Sequence, residues 1–439
     1  MTHAHFLARR KRLLKAIGDG VAIVPTAPEV IRNRDAHHPY RFDSYFWYLT
    51  GFPEPEAVVV LIGGNGRTKA KSILFCREKH EEREIWDGYR YGPKAAKAAF
   101  GFDAAYSIEQ LDKKLPELLV DRDALWHAIG HDAEWDARIA KALNAVRAQS
   151  RAGKRAPRAI HDLRAELDTM RLVKDGAEAA IQQRAADIAS AGHARAMRAC
   201  RPGMAEYELE AELTYEFRKR GADAHAYTPI VAGGANACVL HYVENNKLLN
   251  DHTLVLIDAG CEVEGYAADI TRTFPVNGRF NAAQKDVYQI VLAAQDAAFA
   301  ATAPGRHFME AHDAAVRVLT QGLIDLKLLK GDLDNLIEKG DFRRFYMHRT
   351  GHWLGLDVHD AGEYKTGDQW TVLQPGMTVT VEPGLYIRPA DDIPPALAGI
   401  GIRIEDDVRV TEFGDPRGCD IYTSAPKTVA EIEEVMRRD

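Results

Sequence analysis

Acidic residues and one histidine stand at the ends of apolar, strand-like runs in the C-terminal half of this 439-residue chain. They are Asp258 in LVLIDAG, Asp269 in YAADITRTF, His352 in HRTGHWLG, Glu382 in TVTVEPGLY and Glu405 in GIRIEDD. An ionised carboxylate that leaves water is strongly destabilising unless it is paired or binds a metal ion. A fold that buries four carboxylates must therefore supply cations, and the pattern predicts a metal site.

The local spacing predicts how these side chains approach one another. An apolar run ends at Asp258, and the chain turns at Gly265 before Asp269, so we expect the two flanking strands to pair with both carboxylates on one face. Arg403 stands two residues before Glu405 and therefore lies on the same face of its strand. We expect the acids to share one pocket.

The charge of the set indicates which cations the pocket would hold. Four carboxylates balance two divalent ions, and oxygen-rich ligation with one imidazole favours Mn²⁺, with Co²⁺ or Zn²⁺ as alternatives. Two such ions close together activate a water and stabilise a tetrahedral intermediate. The residues predict a dinuclear site that hydrolyses an acyl bond.

The order Asp, Asp, His, Glu, Glu and its local motifs resemble the dinuclear metallopeptidases of the pita-bread fold, and within them the Xaa-Pro aminopeptidase (aminopeptidase P) family. The similar segments are HYVENN at 241–246, HWLGLDVHD at 352–360, VEPGLYI at 381–387 and DAHHPYRFDSYFWYLTGF at 35–52. The resemblance covers nearly the whole chain. It implies that the five residues named above bind two metal ions.

The resemblance also implies an activity, which is removal of the first residue from peptides that have proline in second position. A metal-activated water attacks the carbonyl of the first residue, and Glu382 manages the proton of that water. The family's related prolidases share the five ligands but cleave dipeptides, and other relatives that have lost their ligands are non-catalytic binding modules. FWYLTGF and HYVENN favour the aminopeptidase.

Further site residues follow from the resemblance. His241 lines the substrate cleft, His359 hydrogen-bonds the substrate and stabilises the oxyanion, and Arg403 holds the ligating acids in place. The residues alone leave alternatives open, because His359 is equally explained by a bond to the adjacent Asp360. His241 is equally explained by an aromatic contact in the core beside Tyr242.

Two residues are assigned to substrate binding, His348 and Trp86. The resemblance makes Trp86 a lid residue donated by a neighbouring subunit, and an ordinary core position is the alternative. His348 and His352 are four residues apart, as in zinc proteases of the HExxH type, but Arg349 stands where that motif needs glutamate and Gly351 disfavours a regular helix. We expect a loop there.

The distribution of strand-like and helix-like segments predicts an α/β (α+β) protein of two domains. In the N-terminal part, short apolar strands such as 57–62 alternate with helical patterns such as 133–146, which is typical of a small α/β domain with a mixed sheet. The resemblance implies a pita-bread catalytic domain after it, with a curved antiparallel sheet flanked by helices. We place the domains at 1–173 and 174–439.

Composition argues against other classes of function. A net charge of −7 and a basic cluster at 151–158 that has few aromatics predict no nucleic-acid partner. No apolar run approaches a membrane span, and the first 20 residues lack a signal-type apolar stretch, so we expect no membrane role and a cytoplasmic location.

The five cysteines form no CxxC pair, which predicts reduced thiols. We further expect a homo-oligomer, either a dimer or a tetramer.

Overall fold

The computed structural model describes residues 1–65 and 68–437 and divides into two compact units, Met1–Met170 and Arg171–Asp439. The strands of the first unit are β1 (Val21–Pro25), β2 (Ile31–Asn33), β3 (Ala36–His37), β4 (Val58–Ile62), β5 (Lys71–Cys76), β6 (Ala104–Ser107), β7 (Ala124–His127) and β8 (Ala159–Asp162). Its helices are α1 (His3–Ala16), α2 (Ser44–Thr50), α3 (Glu81–Asp87), α4 (Gly92–Phe100), α5 (Leu111–Leu119), α6 (Ala133–Arg147) and α7 (Leu163–Leu172), and the division falls within α7.

The first unit is built on a six-stranded mixed sheet in the order β6-β5-β4-β1-β7-β8. Strand β4 is antiparallel to both of its neighbours, whereas the pairs β5-β6, β1-β7 and β7-β8 are parallel. Strands β1 and β4 are buried along nearly their whole length, as expected for central strands covered on both faces. The predicted mixed sheet is confirmed.

The second unit contains the helices α8 (Gly176–Ala199), α9 (Glu206–Lys219), α10 (Ala282–Ala301), α11 (Glu310–Asp325), α12 (Leu333–Lys339) and α13 (Val429–Val435). Its strands are β9 (Ala224–His225), β10 (Ile230–Gly233), β11 (Leu254–Asp258), β12 (Cys261–Val263), β13 (Tyr266–Ala267), β14 (Thr271–Pro275), β15 (Lys365–Thr366), β16 (Gln369–Trp370), β17 (Thr378–Val381), β18 (Gly384–Ile387), β19 (Ile400–Arg403), β20 (Asp406–Val410) and β21 (Cys419–Ile421). None of the helices in the described ranges is both long and apolar enough to span a membrane.

Antiparallel pairing joins the strands of the second unit. The sheets have the orders β10-β11-β14, β13-β12-β9, β17-β20-β21, β18-β19 and β15-β16. Helix α8 packs on β12 and β13, α9 on β10, and α10 on β17 to β19. Helices α8 and α10 start at side-chain caps, which are Asp175 with Glu178 and Asn281 with Gln284.

A single hairpin carries both aspartates of the predicted site. Strands β11 and β12 run against β13 and β14 in one continuous register around a two-residue turn at Glu264 and Gly265, both of which have positive φ. This register places Asp258 and Asp269 on the same face, as the sequence predicts. Opposite Asp269 stands Gly260, where a Cβ would lie 1.7 Å from the carbonyl oxygen of Ala268.

Burial in the mixed sheet predicts a stability contrast between two isoleucines of the first unit. Ile23 in β1 is 1% exposed, whereas Ile31 in β2 is 60% exposed. We expect Ile23→Ala to lower the free energy of unfolding by about 2–5 kcal/mol, because it leaves a cavity in the core, and Ile31→Ala to have little effect. Urea denaturation followed by circular dichroism measures both, and equal losses in the two variants would contradict this assignment of the core.

Candidate active site

A cavity of about 480 Å³ in the second unit gathers the predicted site residues of the C-terminal half. It is lined by Leu240, His241, Asp258, Asp269, His348, Arg349, Gly351, His352, His359, Tyr364, Glu382, Arg403 and Glu405. The sequence names nine of these thirteen positions. Residues separated by more than 160 positions in the chain therefore meet in one concave space.

Strand ends bring the four acids to the cavity. Asp258 is the last residue of β11, and Asp269 lies just before β14. Glu382 follows β17 directly, and Glu405 occupies the short connection between β19 and β20. Because β17 pairs with β20, with Val381 opposite Asp406, the two glutamates enter the cavity from neighbouring positions.

Hydrogen bonds hold both the backbone and the imidazole of His352. Its main chain exchanges hydrogen bonds with Thr380, and its Nδ1 lies 3.0 Å from the carbonyl oxygen of Trp353. Nε2 therefore faces the acids, 3.4 Å from Asp269 and 3.7 Å from Glu382. One donor atom each from Asp269, His352 and Glu405 lie within 4.8 Å of one another, a spacing that suits a shared cation.

The pKa values of the cavity acids show a shortage of positive charge that divalent cations would fill. Burial, together with the Asp269 charge, raises the pKa of Asp258 to about 6 against the opposing effect of Arg403. Burial likewise raises the pKa of Glu382 to about 7, and burial with the neighbouring acids holds that of Glu405 well above its usual range. The protein alone does not keep all of its acids ionised. Divalent cations bound in this cavity would supply the missing positive charge.

Unlike the other three acids, Asp269 has a lowered pKa, and its partner His352 has a raised one. Burial alone would raise the pKa of Asp269, but the hydrogen bond and charge of His352, together with Tyr227 and Arg403, outweigh it, so the pKa is lowered. Burial lowers the pKa of His352, but Asp269 and Glu382 outweigh it and raise the pKa to about 9. The two groups form an ion pair in the protein itself.

Arg403 contacts Asp258 and neither of the glutamates directly. One guanidinium nitrogen lies 2.5 Å from the Asp258 carboxylate, and the others donate to the hydroxyls of Tyr386 and Thr271, each at 3.0 Å. The Thr271 hydroxyl donates in turn to Glu405, so Arg403 reaches that acid through an intermediate. His348 joins the same network, with Nε2 2.8 Å from the Tyr386 hydroxyl.

His241 and His359 are both exposed and line the cavity. Asp360 does not bind the His359 ring; its carboxylate instead accepts from Arg171 and Lys174 at 2.6 and 2.8 Å. The ring of His359 packs edge-on against His352, with centroids 4.4 Å apart. The alternative that His359 is bound by Asp360 and the alternative that His241 is an aromatic core contact are therefore both wrong.

Trp86 lies in α3 of the first unit and is 85% exposed. The alternative that it is an ordinary core residue is wrong for this chain. Its part in substrate binding stays a prediction.

The sequence does not predict Tyr227 and Asp407, two residues that contact the site's aspartates. The half-buried Tyr227 places its hydroxyl oxygen 2.5 Å from Asp258 and within hydrogen-bonding distance of Asp269, so the two carboxylates share its single proton. Asp407 accepts the backbone N–H of Asp269 with both carboxylate oxygens, at 3.1 and 3.2 Å. Tyr227 precedes its strand in a loop with no apolar periodicity. Asp407 offered a visible signal, an acid inside the apolar pattern of β20.

Comparison with known proteins gives the class of this chain. Residues 180–412 match the family model described as "Metallopeptidase family M24", and residues 6–126 match "Aminopeptidase P, N-terminal domain". The chain belongs to metallopeptidase family M24. The predicted metal-dependent hydrolase is thereby confirmed.

Individual proteins resemble the chain over its whole length. The Xaa-Pro aminopeptidase of Escherichia coli is 45% identical over 99% of this chain and 98% of its own. The structure of Pseudomonas aeruginosa aminopeptidase PepP has a TM-score of 0.96 and 50% identity over 99% and 98% of the two chains. The structure of zinc-substituted E. coli aminopeptidase P in complex with product has a TM-score of 0.96 and 44% identity, over 100% of both chains. The predicted fold class, with its pita-bread domain, is confirmed.

A buried histidine behind the site predicts a pH effect on stability. His193 of α8 is fully buried, and its Nε2 donates to the carbonyl of Ala259, next to Asp258. Its Nδ1 has no hydrogen-bond partner among residues 1–65 and 68–437. Burial lowers the pKa of His193 from 6.5 to about 4, because protonation would place a charge in the interior.

Between these two pH values the unfolded state binds more protons than the folded state, so the free energy of unfolding falls as the pH falls. We expect a loss of up to about 1.4 kcal/mol per pH unit from this residue, and a shallower slope in His193→Gln. Urea denaturation of both proteins from pH 7 to pH 4.5 measures the slopes. Identical slopes would show that His193 is not the group responsible.

Proposed function

We propose that this chain is a Xaa-Pro aminopeptidase, which hydrolyses the bond between the first residue of a peptide and a proline in second position. One observation carries the proposal most strongly. Five side chains of metal-ligand type face a single cavity in a chain that is similar, from end to end, to proteins named Xaa-Pro aminopeptidase. Both the site and the additional N-terminal domain therefore favour the same activity.

In this proposal Asp258, Asp269, His352, Glu382 and Glu405 hold two divalent ions, and Mn²⁺ suits their oxygen-rich set best. Co²⁺ and Zn²⁺ remain alternatives, and a similar protein is described with zinc substituted. When bound, the ions supply Lewis-acid chemistry and an activated water.

The remaining residues bind, orient and move protons. Glu382 faces the cavity with a raised pKa and takes the proton of the attacking water before returning it to the leaving amine. His241 and His359 hydrogen-bond the substrate, and His359 stabilises its developing oxyanion. Arg403 keeps Asp258 in position through their short ion pair.

His348 and Trp86 complete the proposed substrate contacts. His348 faces the cavity from the Tyr386 network, and Trp86 carries a large exposed apolar ring that another subunit's cleft could receive. The exposure of Trp86 is the support for a homo-oligomer, a dimer or a tetramer. These two assignments rest otherwise on family resemblance.

The domain limits 1–173 and 174–439 and a cytoplasmic location are also proposals. The division after Met170 and the family matches at 6–126 and 180–412 support the limits. All five cysteines are free and buried, which suits a compartment that keeps thiols reduced.

Substrate length separates the aminopeptidase from a prolidase. We expect metal-stripped protein to release the first residue of a tripeptide with proline second only after Mn²⁺ is added, because the cavity acids need cations to act. Release is measured by chromatography beside a Xaa-Pro dipeptide. Activity confined to the dipeptide would mean a prolidase, and no activity on either would contradict the proposed function.

The same assay tests the ligands. Asp269→Asn and Glu405→Gln should abolish turnover and lower the bound Mn²⁺ per chain, while circular dichroism stays unchanged. Asp286→Asn, on the exposed face of α10, is the matched control and should behave as wild type. Near-wild-type turnover in either ligand variant would contradict the assignment.

A further inference from the structure

A buried glutamate ties the loop that carries His241 to helix α9. Glu206, the first residue of α9, is 0% exposed and accepts four hydrogen bonds from one stretch of chain. Its donors are the backbone N–H of Gly233 at 2.8 Å, Asn236 Nδ2 at 3.0 Å, the Tyr242 hydroxyl at 2.8 Å and the backbone N–H of Lys247 at 2.9 Å. These donors flank His241 on both sides.

All four donors to Glu206 are neutral, so the carboxylate charge is stabilised by directed dipoles and by the N-terminus of α9. The carboxylate and the loop approach closely, because a Cβ at Gly233 would lie 3.3 Å from Glu206 Oε1. The Glu206 backbone N–H also donates to the carbonyl of Lys247 at 2.9 Å. Glu206 therefore holds the loop 233–247 by hydrogen bonds near both of its ends.

The segment 241–246 combines buried side chains that anchor it with exposed ones, of which His241 lines the cavity. Tyr242 and Asn245 are buried, whereas His241 and Val243 are exposed. Asn245 adopts a positive φ of 45°, which asparagine tolerates better than most residues. Its side chain fixes the loop a second time through bonds to Val231 N, Pro229 O and Glu210 Oε2.

The His241 ring itself makes no hydrogen bond or ion pair with any residue in the described parts of the chain. Its position in the cavity is therefore set by the backbone of its loop. Any change that loosens the loop moves the ring relative to the five ligands, although those ligands belong to other strands.

We propose that Glu206 is a positioning residue that holds His241 in place for the substrate. The proposal rests on the proposed function, because it assumes that His241 contacts a peptide substrate. Glu206 itself acts only through the loop and touches neither substrate nor metal.

The direct test is Glu206→Gln, which keeps the side-chain volume but replaces one acceptor oxygen with an NH₂ group facing two N–H or O–H donors. We expect kcat/KM for a tripeptide with proline second to fall about 10-fold, with bound Mn²⁺ per chain unchanged. In a His241→Ala background the same substitution should change kcat/KM by less than about twofold, because its effect passes through His241. A second 10-fold loss in that background would overturn the proposal.

Glu208→Gln is the matched control. Glu208 lies on the same helix and is exposed, and within the described residues its carboxylate accepts only the N–H of Ala205, at 2.7 Å, so we expect wild-type kinetics. Tyr242→Phe removes one donor without removing the ring, and it should give a smaller loss of the same kind. This variant decides the matter if Glu206→Gln does not fold.

Hydrogen–deuterium exchange tests the anchor without any turnover. Peptides covering 239–247 should exchange faster in Glu206→Gln than in wild type, with the Glu208→Gln protein as reference. Unchanged exchange there would overturn the anchoring role. An inactive wild type would instead refute the proposed function, so the two failures are told apart.

Discussion

The carboxylates of Asp258, Asp269, Glu382 and Glu405 share one cavity, and their mutual repulsion is the constraint to which the surrounding structure responds. Each acid leaves water because it stands at the end of a buried strand. Arg403 and His352 offset part of the charge, but the pKa values of Asp258, Glu382 and Glu405 remain raised. Divalent cations complete the balance, and this need connects the fold with metal-dependent hydrolysis.

The groups behind the acids follow from the same constraint. Tyr227 bridges the two aspartates, and Asp407 fixes the backbone of Asp269. Two loops that carry cavity histidines are each anchored by a buried carboxylate, Glu206 for His241 and Asp360 for His359. Both anchors leave the ring itself free to meet a substrate. At both His241 and His359, hydrogen bonds therefore hold the backbone of the loop while the imidazole stays exposed at the cavity.

The sequence predicted the acids and their neighbourhood because an acid at the end of an apolar run conflicts with burial, and that conflict is visible without a structure. The hairpin of Asp258 and Asp269 was equally predictable, since its turn lies at Gly265 and strand alternation fixes the face. Tyr227 was not predictable, because its role depends on which strands meet it in space. The exposure of Trp86 was not predictable either, because a tryptophan in a charged helix can be either buried or exposed.

In the proposed function these residues hold two metal ions in one cavity. Anomalous diffraction from crystals of the Mn²⁺-loaded protein, collected at the manganese edge, tests it most directly. We predict two anomalous peaks among Asp258, Asp269, His352, Glu382 and Glu405, separated by about 3.5–4 Å. Peaks at other positions, or none in this cavity, would contradict the account.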